Sequence, residues 1–215
     1  FPHSLGLLYS TFTAFLGFRV NEDEYKVMGL AAYGKPTYTD EIKKLIDIKK
    51  DGSFKLNMNY FSFRERFQMW NKDFETLFGK PRSKHDPLTQ KHKDMAASIQ
   101  YVTEQIYFKI LNHAYEITLE KNLCISGGVG LNALANGKIY TNTPFQNIHI
   151  FGPAGDSGGA LGAALHTYSH ILGQKPPKKA ILGLSWGTSY TDGDIDALLQ
   201  KEKLKYKRFT DEKEL

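Results

Sequence analysis

The sequence predicts an α/β fold, and three features carry that expectation. A long amphipathic pattern runs from about Asp94 to Leu119. Two short apolar runs follow, Asn122–Ser126 and Asn147–Phe151. Each leads through glycine-rich residues into a helical pattern, and this strand–helix alternation with short connections is the signature of an α/β unit. Of 215 residues, 41% are hydrophobic, 13% aromatic and 24% charged, which is ordinary globular composition and excludes a disordered or fibrous chain.

The elements read in order as follows. Leu5, Leu8, Phe12, Phe15 and Leu16 recur at spacings of three and four, as in a buried helix capped by Ser4 and ended near Gly17. Residues 22–33 form a second helix with acids in its first turn, stopped by Gly34 and Pro36. Residues 46–60 alternate around the Asp51-Gly52 turn dipeptide and predict a β-hairpin. Residues 61–93 read as irregular sequence around a short helix near Phe74–Phe78. In the long helix, Met95, Ile99, Val102, Ile106, Ile110 and Ile117 form a stripe, widened by Phe108, Leu111 and Tyr115, that suits a sheet face. Beyond it come strand Asn122–Ser126, a helix from Gly130 to Tyr140, strand Asn147–Phe151 and a helix from Asp156 to Leu172 capped by Gly173. Pro176-Pro177-Lys178-Lys179 reads as a linker, with a domain boundary near 175–180. Ile181-Leu182-Gly183 opens a new unit, Thr191–Leu199 reads as a capped helix and Leu204–Phe209 as a strand.

Composition narrows the function. The net charge of +5 is spread over several short basic stretches and reads as solvated faces, with nucleic-acid binding the minority option. A single cysteine, Cys124, cannot form an internal disulfide, and its apolar run predicts an inert core thiol. Nothing points to an oxidising compartment, so the expected location is cytoplasmic. No apolar run is long enough for a transmembrane helix, and no signal peptide is visible. The chain begins at Phe1 and stops in polar sequence, so it is expected to be a segment of a longer protein.

Two strand-to-helix junctions hold the chemistry: Ser126-Gly127-Gly128-Val129-Gly130-Leu131-Asn132 and Gly152-Pro153-Ala154-Gly155-Asp156-Ser157-Gly158-Gly159. Ligands of open α/β sheets sit beyond the carboxyl ends of the strands, where both junctions fall. Glycines let the backbone approach a phosphate, and helix-start amides favour anions. Gly127, Gly128 and Gly155 therefore read as a nucleotide cradle, against the plainer reading of tight turns. Gly158, Gly159 and Gly162 with the neighbouring alanines read instead as a small packing face. Neither a Walker loop nor a completed G-x-G-x-x-G is present: Gly137-Lys138 lacks the flanking residues, and Ala133 stands where the third glycine belongs. Asp156 is equally a helix cap or a metal ligand. Asn132 either bonds a ligand or caps the helix start. Glu24 and Lys26 either border the same cleft or form an exposed pair. His166 and His170, an i,i+4 pair, read as surface or core rather than as a metal site.

These stretches, together with Phe1-Pro2-His3-Ser4-Leu5-Gly6-Leu7-Leu8-Tyr9 and Glu24-Tyr25-Lys26-Val27-Met28-Gly29-Leu30-Ala31-Ala32-Tyr33-Gly34, resemble the O-carbamoyltransferases of the NodU nodulation and antibiotic-tailoring type. The likeness covers most of residues 1–175, and the order and spacing of the motifs make it specific. Ala32 replaces a commoner proline and Ser126 an alanine. The resemblance implies that residues 1–175 are the C-terminal part of a nucleotide-binding carbamoyl-transfer domain. The segment would be half of an actin/sugar-kinase-like (ASKHA) duplicated domain, a mixed sheet with flanking helices, and the whole domain is similar to the tRNA threonylcarbamoyl transferase. Residues 176–215 would be the linker and the start of a YrdC-like second α/β domain.

The implied activity is ATP-dependent transfer of a carbamoyl group from carbamoyl phosphate, through carbamoyl adenylate, to an acceptor hydroxyl on a small molecule. Carried over by position, Gly127, Gly128, Asn132, Gly155, Glu24 and Lys26 would bind the nucleotide, and Asp156 would be a metal ligand. The implied metal is divalent, Fe2+, beside the Mg2+ that accompanies ATP. The family's paired metal-binding histidines have no counterpart here, so the segment alone is expected to be inactive, and no catalytic residue is assigned. No membrane partner is implied, and a homodimer is left open. Two alternatives stand beside this reading: a tRNA threonylcarbamoyl transferase-like enzyme and a nucleotide-binding module without chemistry.

Overall fold

The computed structural model describes residues 1–175, 183 and 187–209. The chain divides into two compact units, Phe1–Lys175 and Pro176–Leu215. The first is a mixed α/β unit. Helix α1 (Leu5–Phe15) starts at Ser4, whose hydroxyl accepts from the Leu7 N–H at 3.2 Å. Helices α2 (Glu24–Ala31) and α3 (Thr39–Lys44) follow, then the antiparallel hairpin β1 (Ile46–Ile48) and β2 (Phe54–Leu56), with Ile46 opposite Leu56. Helix α4 (Lys72–Phe78) is capped by Asn71, whose Oδ1 accepts from the Asp73 and Phe74 amides.

Helix α5 (Gln90–Thr118) is the longest element, 29 residues, or about 43 Å at the α-helical rise. Its first half lies among α1, α2 and α3. There Met95, Ile99, Val102 and Ile106 join Leu8, Phe12, Phe15, Phe74 and Phe78 in one buried cluster. Phenylalanines dominate it: Phe12 meets Phe74 at 5.3 Å and Phe78 at 5.1 Å, ring centroid to centroid, both edge-on. The second half of α5 supplies Tyr107, Phe108 and Leu111 to another cluster, beside Leu123, Ile125, Ile148 and Ile150 of a sheet. The expected sheet-facing helix is thus sheet-facing over its second half only. Ile110 and Ile117, placed in the stripe by spacing, are exposed, because the sheet has only two strands and does not reach them.

That sheet pairs β3 (Asn122–Ile125) with β4 (Asn147–Ile150) in parallel, Cys124 opposite His149. Leu123, Ile125, Ile148 and Ile150 point at α5, so the alternation turns Cys124 and His149 to the other side. Cys124 is therefore exposed, which corrects the expectation of a core thiol. The helix expected over Gly130–Tyr140 is broken into a 3₁₀ turn (Gly128–Leu131), α6 (Ala133–Gly137) and α7 (Ile139–Asn142). The break falls at Lys138, after Gly137, a residue that weakens helices. After β4 a 3₁₀ turn (Asp156–Gly158) leads into α8 (Gly159–His166) and a π-helical turn (Thr167–Ile171). The small face of α8 touches little: a Cβ added at Gly159 or Gly162 would meet no atom within 4 Å among the described residues. Only Gly158, against the Pro153 carbonyl, has the tight packing expected of that stretch.

The loop after α2 crosses α5 closely. A side chain at Gly34 would overlap the Lys93 carbonyl, the Lys35 N–H donates to Asp94 Oδ1 at 2.8 Å, and the Tyr38 N–H donates to Ser98 Oγ at 2.9 Å. The Lys35 amide, then the Gln90 side chain, hold the Asp94 carboxyl below the usual carboxylate range.

In the second unit, α9 (Asp192–Lys201) has a capping box. The Asp194 N–H donates to Thr191 Oγ1 at 3.2 Å, and the Thr191 N–H donates to Asp194 Oδ2 at 2.7 Å. The strand expected at Leu204–Phe209 is not formed. No strand among the described residues pairs with it, and Arg208 turns back onto α9 at Asp192 and Asp196 (3.3 and 3.2 Å). The expected linker at Pro176–Lys179 and the start at Ile181-Leu182 lie outside the described residues.

Two outcomes follow from this packing. Phe74→Ala empties the centre of the aromatic cluster and is expected to cost about 3–5 kcal/mol in chemical denaturation. For Asp94 the folded pKa lies below the unfolded one, so its stabilisation is full above the ordinary carboxylate range and fades as pH falls through the depressed pKa. Asp94→Ala is therefore expected to lower the denaturation midpoint at about pH 7, with the difference from the parent narrowing as pH falls through the depressed pKa.

Candidate functional site

The two glycine turns stand side by side. They leave the carboxyl ends of adjacent parallel strands, and a backbone hydrogen bond joins them: the Gly127 N–H donates to the Ala154 carbonyl at 2.7 Å. A Cβ at Gly155 would stand 3.8 Å from the Gly128 Cα and 3.7 Å from Leu131 Cδ1; one at Gly130 would stand 3.6 Å from the Ala154 Cβ. Ala154 is buried at this seam, whereas Gly127, Gly128, Asp156 and Ser157 are exposed. The arrangement gives one open edge lined by backbone from both turns, which suits a phosphorylated ligand better than either turn alone. Gly127 has φ +103°, a conformation open to glycine alone at low cost, and its own amide is spent on Ala154.

The first turn is anchored from below. Val129 packs against both apolar clusters and lies 3.6 Å from where a Gly6 Cβ would be, so α1 supports the turn. Asn136 Nδ2 donates to the Gly130 carbonyl at 2.7 Å, while the Tyr107 hydroxyl donates to Asn136 Oδ1 at 2.8 Å. Burial pushes the Tyr107 phenol up to about 12, so it stays a donor at neutral pH.

Asn132 closes the turn and caps α6. Its Oδ1 accepts from the Ala135 N–H at 3.1 Å and from Gln100 Nε2 at 3.0 Å. The sequence left ligand and cap open for this residue, and in the folded chain its side chain caps. Asp156 is the reverse case. It makes no side-chain cap bond, hydrogen bond or ion pair among the described residues, and its exposed carboxylate sits at the seam's rim next to Gly155. No group of three or more His, Cys, Asp or Glu that could hold a metal occurs among the described residues. Asp156 by itself supplies a single oxygen ligand and does not make a metal site. His166, at the end of α8, and His170, in the π-helical turn after it, stack at 4.6 Å and are exposed.

Glu24 and Lys26 are engaged elsewhere. Glu24 Oε1 accepts from Ser10 Oγ at 2.7 Å and from the Asn21 N–H at 2.9 Å, which ties α2 to α1. Lys26 pairs with Asp23 at 2.7 Å, holding that carboxyl low together with the Arg19 amide. It lines a cleft with Arg19, Glu22, Arg82 and Lys84, and no residue of either turn lines that cleft. Sequence reasoning missed Gln100, Glu104 and Lys138, which lie directly behind Asn132. Nothing in the local sequence sets them apart, since Gln100 and Glu104 read as polar positions of an amphipathic helix.

The strained and unstrained glycines should separate in stability measurements. Gly127→Ala is expected to cost about 1–3 kcal/mol through its φ, although space is free around it. Gly155→Ala meets only ordinary contacts and is expected to leave the denaturation midpoint unchanged.

Comparison with known proteins matches the sequence to a family. Residues 1–165 match the family model described as carbamoyltransferase N-terminus. The chain is 48% identical over 205 residues to an uncharacterised protein of Synechocystis sp., covering 93% of this chain and 33% of that protein. It is 38% identical over 192 residues to nodulation protein NolNO of Sinorhizobium fredii (87% and 26%) and 34% identical over 188 residues to nodulation protein NolO of Bradyrhizobium diazoefficiens (86% and 32%). The chain thus spans about a third or less of the length of these relatives. With the family model covering most of its length, the chain belongs to the NodU-like carbamoyltransferase family.

Proposed function

We propose that this chain is the part of an ATP-dependent O-carbamoyltransferase that cradles the activated nucleotide, within the second half of an actin/sugar-kinase-like domain. The single observation that carries the reading is the hydrogen-bonded seam between the two glycine turns, Gly127 to Ala154, at the tips of β3 and β4. In the full-length protein, carbamoyl phosphate loses phosphate to water, and the carbamate oxygen attacks the α-phosphorus of ATP. Pyrophosphate leaves and carbamoyl adenylate remains. The acceptor hydroxyl then attacks the carbamoyl carbon, its proton passes to solvent or base, and AMP departs. Gly128 and Gly155 contribute bare backbone against which the phosphate of the adenylate rests.

Asp156 is proposed as one metal ligand, completed by residues outside this chain. A bound divalent cation would supply charge neutralisation beside the phosphate, and Asp156 holds a free carboxylate at that rim. Glu24 is proposed to act at a distance, by fixing α2 to the helix that supports the turn. Lys26, ion-paired in its own cleft, keeps a nucleotide role only where the nucleotide extends toward that cleft.

Mass spectrometry of products from the full-length protein, given carbamoyl phosphate, ATP and a panel of hydroxylated acceptors, tests the reading. A mass gain of one carbamoyl group with AMP and pyrophosphate released is the expected result. Nucleotide binding without turnover favours a non-catalytic module, and a threonylcarbamoylated tRNA favours the tRNA-modifying alternative. Asp156→Asn is expected to leave stability within about 0.5 kcal/mol of the parent, since the side chain has no partner to lose, while metal content and transfer fall together.

A further inference from the structure

Two polar residues of α5, Gln100 and Glu104, face the first glycine turn instead of water. Gln100 and Glu104 are 4% and 7% exposed. Gln100 Oε1 accepts from the Tyr9 hydroxyl and from Asn132 Nδ2, each at 3.0 Å. Its Nε2 donates to Glu104 Oε1 and to Asn132 Oδ1, again at 3.0 Å each. A glutamine amide has two lone pairs and two N–H groups, and here all four are used. Lys138 Nζ in turn holds both Glu104 oxygens, at 2.8 and 2.6 Å.

The orientation of this network is determined by charge. Turned over, the Gln100 amide would set its carbonyl against the Glu104 carboxylate, so Glu104 selects the observed face. Tyr9 remains a donor, because burial, and then the Glu24 and Glu104 carboxylates, raise its pKa. The output of the network is Asn132, which closes the turn with its own N–H on the Val129 carbonyl at 3.0 Å.

We propose that Gln100 is the positioning residue of the nucleotide turn, held by Tyr9 and by the Glu104–Lys138 pair and clasping Asn132 so that Gly127–Leu131 is shaped before the nucleotide arrives. The proposal rests on the nucleotide reading above. Gln100 touches no ligand; it lowers the ordering cost of binding by holding the turn in advance. Lys138, whose side chain is about half exposed, is the outer end of the chain of contacts.

Hydrogen exchange of the full-length protein, read on the segment 126–133 against ATP with Mg2+, tests this. In the unsubstituted protein ATP is expected to slow exchange in that segment and in 153–158. Gln100→Met, similar in volume, is expected to raise exchange of 126–133 without nucleotide and to shift half-protection to tenfold or more higher ATP. Lys138→Met, which removes the cation that holds Glu104, is expected to shift it threefold or more, with Lys138→Arg restoring the parent value. Half-protection within twofold of the parent in Lys138→Met and in folded Gln100→Met overturns the positioning role, even where the melting temperature falls. Lack of ATP protection at either turn in the unsubstituted protein overturns the nucleotide reading itself, and the positioning role with it.

Discussion

The amino-terminal unit is registered against α5. One helix face is buried by the phenylalanines of α1 and α4, and the continuation of the helix is buried by the parallel strands, so α5 contributes buried residues to both clusters. Because burial of apolar surface is the main favourable term in folding, the relative position of the aromatic cluster and the strand tips is set by the rigidity of those helical turns. The glycine turns inherit that rigidity. They hang from strands pressed on α5 and rest on α1, and the polar residues between the two clusters reach the turn from behind.

The family motifs divide on inspection into two kinds of residue. Ser4, Gly6, Glu24 and Gly34 explain themselves by packing: a cap, a close approach to Val129, a tether between helices and a crossing over α5. Gly127, Gly128, Gly155 and Asp156 are used less fully: the Gly127 amide is spent on Ala154 and the Gly127 and Gly155 carbonyls close their own turns, while the Asp156 carboxylate has no partner among the described residues. A backbone edge left bare and a carboxylate left unpaired are what a phosphate and its counter-cation require. In the proposed function, the seam carries the chemistry and the remaining motif positions support it.

Much of this was legible in the residues themselves. Ser4 with apolar spacings of three and four gave α1, Asp51-Gly52 gave the hairpin, and the glycine-rich exits gave the two turns their place at strand ends. Three things were not legible. Alternation cannot say which side of a two-stranded sheet is covered, so Cys124 was assigned to the wrong side. Terminal strand character at Leu204–Phe209 needs a partner that local sequence does not announce, and Arg208 pairs with α9 instead. Gln100 and Glu104 look like ordinary solvent-facing helix residues until Asn132 and Lys138 are brought to them across more than thirty positions of chain.

The exposed thiol of Cys124 has a practical consequence. It is the single cysteine of the chain, and it stands on β3 three residues before Gly127, on the side of the sheet turned away from α5. A maleimide dye would therefore attach to this segment at one position, close to the seam yet outside the apolar clusters. Its emission would report, in real time and without radiolabel, on the surroundings of the neighbouring turns.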